Sequence, residues 1–355
     1  MSPHACHCVC CAAPRGGAFF LGAALRKNIC RSQACRAGQF GAAILMAMLT
    51  VTLVAALAAG ALWQQWRSVE VEAAQRARVQ SGWILVGALD WARLILREDA
   101  RSGGADHLGE PWAVPLEEAR LSTFFATGAT SDTSSAAQDD TQQSFISGQI
   151  FDLQGRLNVR NLVDQGKVSP VAMRQFTRLF DLLGLPSSEV AGLAENLRRA
   201  LDVSAQSRDG VDAQMAPLVP QTVAQLGWLG LSAGSIAALT PFITLLPQST
   251  PVNLNTAPAE VIFASIDEPD MALARRLVTA RAQSHFKTLG EAARLLGDVP
   301  GQVTQERHSV SSRYFEVRGA LRLEDTVVNE HSLVVRDGLD VKVLWRERLP
   351  SALGR

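Results

Sequence analysis

The feature that most constrains this chain is an uninterrupted apolar run near its N-terminal end. No charged residue lies between Arg36 and Arg67, and within that interval Ala42–Trp63 is a nearly continuous apolar stretch of 22 residues. At 1.5 Å per residue, such a stretch reaches about 33 Å as a helix, which is enough to span the hydrocarbon core of a bilayer. The sequence therefore predicts a transmembrane helix over residues 42–66, followed by a large domain outside the membrane.

The charges on either side of the apolar run predict its orientation. Residues 1–41 carry five basic side chains and no acidic one, whereas the rest of the chain holds 29 Lys and Arg against 34 Asp and Glu. Basic residues mark the cytoplasmic flank of a membrane helix, and Trp63 and Trp66 stand where an interfacial aromatic belt is found on the far side. We therefore expect a single-pass protein with a cytoplasmic N-terminus. The net charge of −5 after residue 41 also argues against a basic surface for nucleic acid.

Two kinds of processing compete at this run. Ala59-Gly60-Ala61 offers small residues to signal peptidase, but the run is longer than a usual signal-peptide core and about 40 residues precede it, which favours a retained anchor. Just before the run stands Arg36-Ala37-Gly38-Gln39-Phe40-Gly41, followed by Ala42. This segment resembles the leader of type IV prepilins and pseudopilins, in which a basic segment ends in Gly before a hydrophobic helix. The resemblance implies cleavage by a prepilin peptidase between Gly41 and Ala42 and N-methylation of Ala42.

The first residues of the helix depart from the prepilin pattern at one position. Prepilins usually place Glu at the fifth mature position, and this chain has Met46 there. That Glu neutralises the α-amino charge of a neighbouring subunit, which is costly to leave unpaired in lipid. The K-type minor pseudopilins of the type II secretion system are similar to this chain in lacking the Glu.

Beyond the membrane, the sequence predicts that the same helix continues as a stem. Residues 64–97 contain no Pro and only two Gly, and the charges between Gly82 and Arg97 follow helical spacing. The apolar side chains expected to be covered by packing are Trp83, Leu85, Leu89, Trp91 and Leu96. A helix that is polar near the membrane and buried further out is similar to the stem of a pilin.

Period-two patterns predict strands on both sides of a helical region. Strands are expected over Phe145–Leu153 and Leu157–Val163, with three more near the C-terminus. Asp337-Gly338 predicts the turn of a hairpin between two of those strands. The hairpin face expected to be shared consists of Leu339, Val341, Val343 and Trp345.

Residues 165–300 are predicted to be helical, because apolar residues repeat there at helical spacing and prolines separate the repeats. Within this region, Pro241–Pro247 is expected to form a proline-flanked strand, and Thr256 to cap the next helix by accepting a hydrogen bond from the amide of Ala259. A pilin fold with a helical insertion that carries Asn253-x-Asn255-Thr256-Ala257 is similar to the K-type minor pseudopilins.

The resemblance implies a fold class and a domain organisation. The class is α+β, with a pilin-like fold in which a long N-terminal transmembrane helix packs on a small antiparallel sheet, and with an inserted all-helical domain. The expected domains are a basic cytoplasmic leader at 1–41, a transmembrane helix at 42–66, stem helix and first strands at 67–164, the insertion at 165–300 and completing strands at 301–355.

The resemblance also implies a function. The chain is expected to be a minor pseudopilin at the tip of the type II secretion pseudopilus, in the bacterial inner membrane with its bulk in the periplasm, acting in pseudopilus assembly and protein secretion. Its expected partners are the I- and J-type minor pseudopilins, the inner-membrane secretion platform and prepilin peptidase. The alternatives are an adhesin-like minor pilin of a type IV pilus and a DNA-uptake receptor that uses a helix-hairpin-helix module.

The helical region does not carry the features that nucleic-acid binding needs. A helix-hairpin-helix module brings bare Gly amides to a phosphate, with Ala282–Leu295 as the expected trailing helix. Here the hairpin position holds Asp267, Glu268 and Asp270, together with a Pro that lacks an amide hydrogen. We therefore expect no nucleic-acid binding.

No catalytic constellation is found, so the chain is expected not to be an enzyme. The histidines beyond the anchor have no partner at a metal-ligand spacing and are expected on the surface. These histidines are His107, His285, His308 and His331.

Metal binding is also not expected. All six cysteines precede residue 42, and Cys6-x-Cys8-x-Cys10-Cys11 lacks the paired spacing of a zinc site. K-type relatives often carry an acidic calcium loop, and the corresponding stretch here keeps Asp202, Asp209 and Asp212 but no Asp-x-Asp-x-Asp cluster. Since Ca²⁺ takes six to eight oxygen ligands, we expect no cofactor, with calcium as the remaining alternative.

Overall fold

A computed structural model of the chain describes residues 40–121, 144–202, 217–267, 270–297, 302–323 and 326–349. The chain divides into two compact units, Met1–Glu70 and Val71–Arg355. Its first described element is helix α1, Phe40–Ser102, whose 63 residues confirm that the helix continues past the apolar run. The apolar side chains of α1 in the first unit are exposed, and α1 is the one described helix that is long and apolar enough to cross a membrane.

The second unit combines a five-stranded sheet with a helical module. In chain order, the strands are β1 (Leu116–Arg120), β2 (Ser144–Asp152), β3 (Leu157–Asn158), β4 (Val163–Asp164), β5 (Lys167–Val168), β6 (Ile243–Thr244), β7 (Val252–Asn253), β8 (His308–Ser309), β9 (Tyr314–Leu323), β10 (Thr326–Asp337) and β11 (Asp340–Leu349). The helices after α1 are α2 (Pro170–Leu183), α3 (Ser188–Leu201), α4 (Ala233–Leu239), α5 (Ala259–Ser265), α6 (Met271–Gln283) and α7 (Leu289–Leu295). Four 3₁₀ segments occur among the described residues: Pro111–Ala113, Leu153–Gly155, Val159–Leu162 and Val223–Leu229. The predicted α+β class is confirmed.

The topology of the large sheet places the helical module between two neighbouring strands. The strand order is β1-β2-β9-β10-β11, and all neighbours are antiparallel. The register of β2 and β9 runs from Ser144 opposite Leu323 to Asp152 opposite Phe315. The chain therefore leaves the sheet at the end of β2, builds the module, and returns to pair with the strand that it left. The domain boundaries proposed above stay a prediction.

One face of the sheet is covered by the outer part of α1. Leu85, Leu89 and Leu96 are buried at helical spacing and pack against strand residues of β2, β9 and β10. A Cβ atom at Gly319 would lie 3.3 Å from the Leu85 side chain, so glycine at this position lets the helix approach the sheet closely. Each fully buried Leu contributes about 1.5–3 kcal/mol relative to exposure, so this stripe holds the stem on the sheet.

The C-terminal hairpin forms as predicted, but one of its side chains faces the other way. Gly338 adopts a positive φ of 59° at the turn between β10 and β11. The register shifts where Val334 pairs with Val343 and Leu333 pairs with Trp345, which leaves Leu344 as an extra residue. Because side chains alternate along a strand, this bulge turns Trp345 to the opposite face from Val343. The prediction that both share one face is therefore wrong.

The helical module has its own apolar core. The first helix of the module, α2, begins with Ser169 as its N-cap and a Pro in its first turn, and it ends at Gly184, whose φ is +67°. Residues of Leu157–Val163 pack into the same core as the helices. That segment was predicted to be one strand, which is wrong: β3 and β4 are separated there by the 3₁₀ turn Val159–Leu162.

Short parallel ladders tie distant parts of the module together. Leu157 pairs with Ile243 in β3 and β6, which confirms the predicted strand within Pro241–Pro247. Val252 pairs with His308 in β7 and β8, and so brings the end of the module beside its middle. These pairings involve two residues per strand, so most of the stability of the module comes from its apolar core.

Candidate functional site

The residues of the predicted cleavage site lie at the start of α1. Gly41 and Ala42 are consecutive residues of its first turn, and that turn contains no acidic residue. Ala42 and Met46 are four residues apart and therefore lie on the same face of the helix, with both side chains exposed. Cleavage between Gly41 and Ala42, and methylation of Ala42, stay predictions.

The outer part of α1 exposes large apolar side chains on the side away from the sheet. Trp83 is 72% exposed, Leu94 is 57% exposed and Trp91 is 46% exposed. Trp83 and Leu94 are three helical turns apart and point in nearly the same direction, opposite the stripe of Leu85, Leu89 and Leu96. The prediction that Trp83 and Trp91 are covered is therefore wrong. An exposed apolar stripe of this kind marks an interaction surface, and we call Trp83, Trp91 and Leu94 the stem face.

A cavity of about 230 Å³ lies beside the stem face, between α1 and the edge of the sheet. Its lining is mainly apolar and includes Trp91, Ile95, Trp112 and Leu116. The Trp112 indole is buried edge-on against Phe315, and its Nε1 donates to Glu110 at 2.7 Å. The edge strand β1 and the stem thus offer a groove whose walls are fixed by packing.

A buried polar cluster joins the sheet to the helical module. The Asp152 carboxylate at the end of β2 accepts hydrogen bonds from the Ser312 hydroxyl and the Thr256 hydroxyl, each at 2.6 Å, and from Asn253 Nδ2 at 3.0 Å. It also accepts from the amide of Gln154 at 2.7 Å. Burial raises the pKa of Asp152 above its usual value, although the hydrogen bonds from Ser312, Thr256 and Gln154 act in the opposite direction. All four partners donate, which suits an ionised, acceptor-only carboxylate.

The same cluster overturns one prediction about the module. Thr256 was expected to cap a helix through the amide of Ala259, but its hydroxyl donates to Asp152. Helix α5 begins at Ala259 behind Pro258 and has no side-chain cap. The contact joins residues 104 positions apart, and the Asn-Thr-Ala motif does not reveal a partner that distant.

Arg336 extends this polar cluster, which forms the joint between the sheet and the helical module, to the end of α1. Its guanidinium forms ion pairs with Asp99 and with Asp106, and it donates to the carbonyl oxygen of Ser312 at 2.8 Å. Asp106 in turn accepts from the amide of Ser312 at 2.7 Å. Burial raises the pKa of Asp106, and the guanidinium and these bonds oppose that effect. A buried carboxylate with a cation this close is held ionised by the pair.

These acidic residues also form the candidate metal centre of the described chain. One oxygen from each of Asp99, Asp106 and Glu110 lies within 4.8 Å of the others. However, Arg336 engages both aspartates, and Glu110 accepts from Trp112 Nε1 and from the amide of His107. Since Ca²⁺ takes six to eight oxygen ligands, three carboxylates that are already hydrogen-bonded do not fit the ion. Of the acidic loop considered for calcium, Asp209 and Asp212 lie outside the described residues.

The proposed hairpin and its flanking helices are used structurally. Asp267 pairs with Arg307 at 2.9 Å, and Asp270 caps α6 by accepting from the amide of Ala272 at 2.8 Å. Glu268 lies outside the described residues. The expected trailing helix over Ala282–Leu295 is wrong, because α6 ends at Gln283 and α7 begins at Leu289.

The histidines do not share the environment predicted for them. His308 was expected on the surface, and this is wrong because it is 1% exposed: it begins β8, and its ring lies against Ser265 at the end of α5. His107 and His285 stack with their ring centroids 3.8 Å apart, although they are 178 positions apart in sequence. His331 is half-buried, with its Nδ1 3.2 Å from Glu316.

Comparisons with known proteins identify one family. Family models described as "Type II secretion system (T2SS), protein K" match residues 155–248 and residues 252–311. The chain is 30% identical over 309 residues to type II secretion system protein K of Pseudomonas aeruginosa, covering 82% of this chain and 86% of the relative. It is 25% identical over 348 residues to the Pectobacterium carotovorum protein of the same name, covering 88% of this chain and 97% of the relative.

A solved structure shares the fold. It is the GspK-GspI-GspJ complex of the enterotoxigenic Escherichia coli type 2 secretion system, and one chain matches with a TM-score of 0.55 and 20% identity. The match covers 78% of this chain and 99% of that chain. The chain therefore belongs to the type II secretion system protein K family and is a minor pseudopilin of type II secretion.

Proposed function

We propose that this chain is the tip subunit of the type II secretion pseudopilus and that it initiates pseudopilus assembly by associating with I- and J-type minor pseudopilins. It acts as a structural component and not as an enzyme. The solved neighbour is a complex of GspK with GspI and GspJ, which supports the choice of partners. The observation that carries the proposal for this chain is the exposed stem face.

The stem face fits a helix of a partner pseudopilin. Trp83 and Leu94 project from a helix whose other side is already buried against the sheet. Apolar side chains on a helix surface pack into the grooves of a second helix, and Trp is among the residues that dominate binding energy at interfaces. Gly87, between Trp83 and Trp91, has open space around it, so a partner backbone can approach there. Association through this face buries apolar surface that is exposed in the single chain.

The first unit supports membrane insertion and processing. Its apolar helix gives single-pass anchoring, and the basic segment before it favours a cytoplasmic N-terminus in the bacterial inner membrane, with the second unit in the periplasm. In this orientation, Gly41 and Ala42 lie where prepilin peptidase cuts. The secretion platform in the inner membrane is the further expected partner.

Met46 and the helical module support a position at the tip. Met46 has no charge with which to engage the α-amino group of a subunit ahead, whereas the Ala42 amine can still be engaged by a subunit behind. The module between β2 and β9 adds bulk that would clash between stacked neighbours. Both features suit a first subunit and not a subunit of the shaft.

The test is co-purification of I- and J-type pseudopilins with the tagged full-length chain from membranes of secreting cells. The variant is the double change Trp83→Ala and Leu94→Ala, because Ala keeps the helix. The matched control is Trp228→Ala, which removes a Trp that is 51% exposed on the helical module. We expect the double variant to lose both partners and secretion, while the control keeps them.

Two results would contradict the proposal. If the Trp228→Ala control lost its partners to the same extent, the association surface would include the helical module and would not be specific to the stem face. Labelled chain at regular intervals along isolated pseudopili would rule out a tip position, whatever the outcome for the stem face.

A further inference from the structure

The pilin-like part and the helical module border a second cavity, whose lining includes several polar side chains. Its volume is about 430 Å³, and it lies where the segment 107–109 meets the C-terminal end of α6. The residues that give the cavity its chemistry are Arg281, His107, His285 and Asn255. No carboxylate lines it among the described residues.

Arg281 brings a positive charge to this cavity without a matching negative one. Its Nη1 donates to the carbonyl oxygen of Leu254 at 2.5 Å, and no carboxylate of the described chain forms an ion pair with it. Burial alone lowers the pKa of Arg281 to about 10. Half-buried charges are ordinarily paired, because removing a charge from water is costly. One neutral acceptor therefore leaves most of the five donors of this guanidinium available to an anion.

The two histidines add hydrogen-bonding groups to the same wall. His107 accepts a hydrogen bond at Nδ1 from the amide of Gly109 at 3.1 Å, so its neutral ring carries the proton on Nε2. Burial, together with His107 and Lys287, lowers the pKa of His285, while Glu110 and Glu291 act in the opposite direction. Among the described residues that line the cavity, Arg281 is the one arginine or lysine, so it supplies the permanent positive charge of the cavity.

We infer that this cavity is a carboxylate-binding site. A planar guanidinium matches a carboxylate in a two-bond arrangement, and one positive charge is balanced by one monoanion. A phosphate dianion would leave a negative charge uncompensated in a partly dry cavity. The carboxylate belongs either to a free small acid or to an acidic side chain of a protein that contacts the joint between sheet and module. This inference does not depend on the tip position proposed above.

The test uses the full-length chain in detergent micelles, with its histidines labelled with ¹³C. Sodium acetate is titrated against sodium chloride at constant ionic strength. We expect the His107 and His285 signals to shift with saturation, at a Kd on the order of 1–10 mM, while the half-exposed His331 does not move. The inference would be overturned if all three histidine signals shifted in parallel. It would also be overturned if no signal shifted up to 100 mM acetate, which is roughly ten times the upper Kd.

Variants separate the cavity from general surface charge. Arg281→Gln should weaken acetate binding at least about tenfold, because a charge-assisted hydrogen bond contributes that much. Arg276→Gln, which removes an exposed charge from the same helix, should change it less than about twofold. Equal losses would refute the site, and the wild-type titration decides the matter if Arg281→Gln fails to fold.

A short peptide with one Glu and blocked ends distinguishes the two sources of the carboxylate. Tighter binding of the peptide than of acetate, with the same histidine shifts, identifies an acidic protein segment as the occupant. Equal binding identifies a small free acid. Binding of the matched Gln peptide with the same affinity would refute recognition of the carboxylate.

Discussion

His308 is expected to make the stability of the second unit depend on pH. The ring is fully buried, with Nδ1 accepting from the amide of Thr304 at 3.3 Å and Nε2 lying 3.1 Å from the Ser265 hydroxyl. Burial and the neighbouring Arg307 lower its pKa to about 4, although Asp267 and the two hydrogen bonds act in the opposite direction. The imidazole is therefore neutral in the folded protein over a range in which it is protonated in the unfolded chain.

The size of the effect follows from the two pKa values. An unfolded His titrates near 6.5 and His308 in the folded protein near about 4. Between these values, the unfolded state binds more protons, so the stability contribution is complete above about pH 6.5 and is lost as the pH falls to about 4. One pKa unit corresponds to about 1.4 kcal/mol, which gives a loss of about 3 kcal/mol in the free energy of unfolding.

The assay is urea unfolding of the full-length chain in nonionic detergent at a series of pH values between 8 and 4, a range set by the two pKa values with margin. Tryptophan fluorescence is a suitable signal, because Trp112 is buried against Phe315 and becomes exposed on unfolding. His308→Gln removes the titrating group, and His331→Gln is the control at a half-buried site. On acidification, wild type and His331→Gln should lose about 3 kcal/mol more than His308→Gln loses.

The readout is the change with pH and not the stability at one pH. Gln can destabilise the protein at neutral pH, because it replaces two hydrogen bonds of a buried ring. If His308→Gln retained the full wild-type loss between pH 6.5 and 4, another group would couple folding to protons, and the reasoning about His308 would be wrong.

Three further outcomes are expected from single substitutions. Gly41→Leu should leave uncut precursor in the membrane, and mass spectrometry of the mature wild-type chain should find N-methylated Ala42; an N-terminus at Gly60 would contradict this. Leu96→Ala should lower the free energy of unfolding by about 2–5 kcal/mol, whereas Leu94→Ala should change it by about 0.5 kcal/mol or less. Asp152→Asn should cost about 2–4 kcal/mol in the same urea assay, since a carboxylate that accepts four hydrogen bonds becomes an amide facing donors.

Features set by neighbouring residues were predictable from the sequence. Leu85, Leu89 and Leu96 recur at helical spacing, and the structure buries them on one side of α1. Asp337-Gly338 needs only the positive φ of Gly338 to form its turn. In each case the determining interaction lies within a few positions along the chain.

Features set by distant partners were not predictable in the same way. The stem carries both leucines and tryptophans, and helical spacing alone does not show which of them face the sheet. Trp83 was therefore wrongly predicted to be covered. The bulge at Leu344 turns Trp345 to the opposite face of the sheet, and no glycine or proline at this position signals a bulge in the sequence. Asp152, Thr256 and Ser312 meet through contacts that span 104 and 160 positions. Such contacts become visible once the topology is known.

The position of the helical module follows from how the two faces of the sheet are used. One face is covered by the stem, and at the end of the other face Leu153, Tyr314 and Leu333 pack with Leu246 of the module. The chain enters the module directly from β2 and leaves it directly into β9, so no flexible linker separates the two parts. The Asp152 cluster sits at this junction, and buried polar contacts that must all be satisfied at once permit few alternative orientations. A module held in this way projects its bulk in a fixed direction. The proposed tip position requires such a fixed direction, because a fixed obstruction would hinder stacking of a further subunit ahead, whereas a tethered module could swing aside.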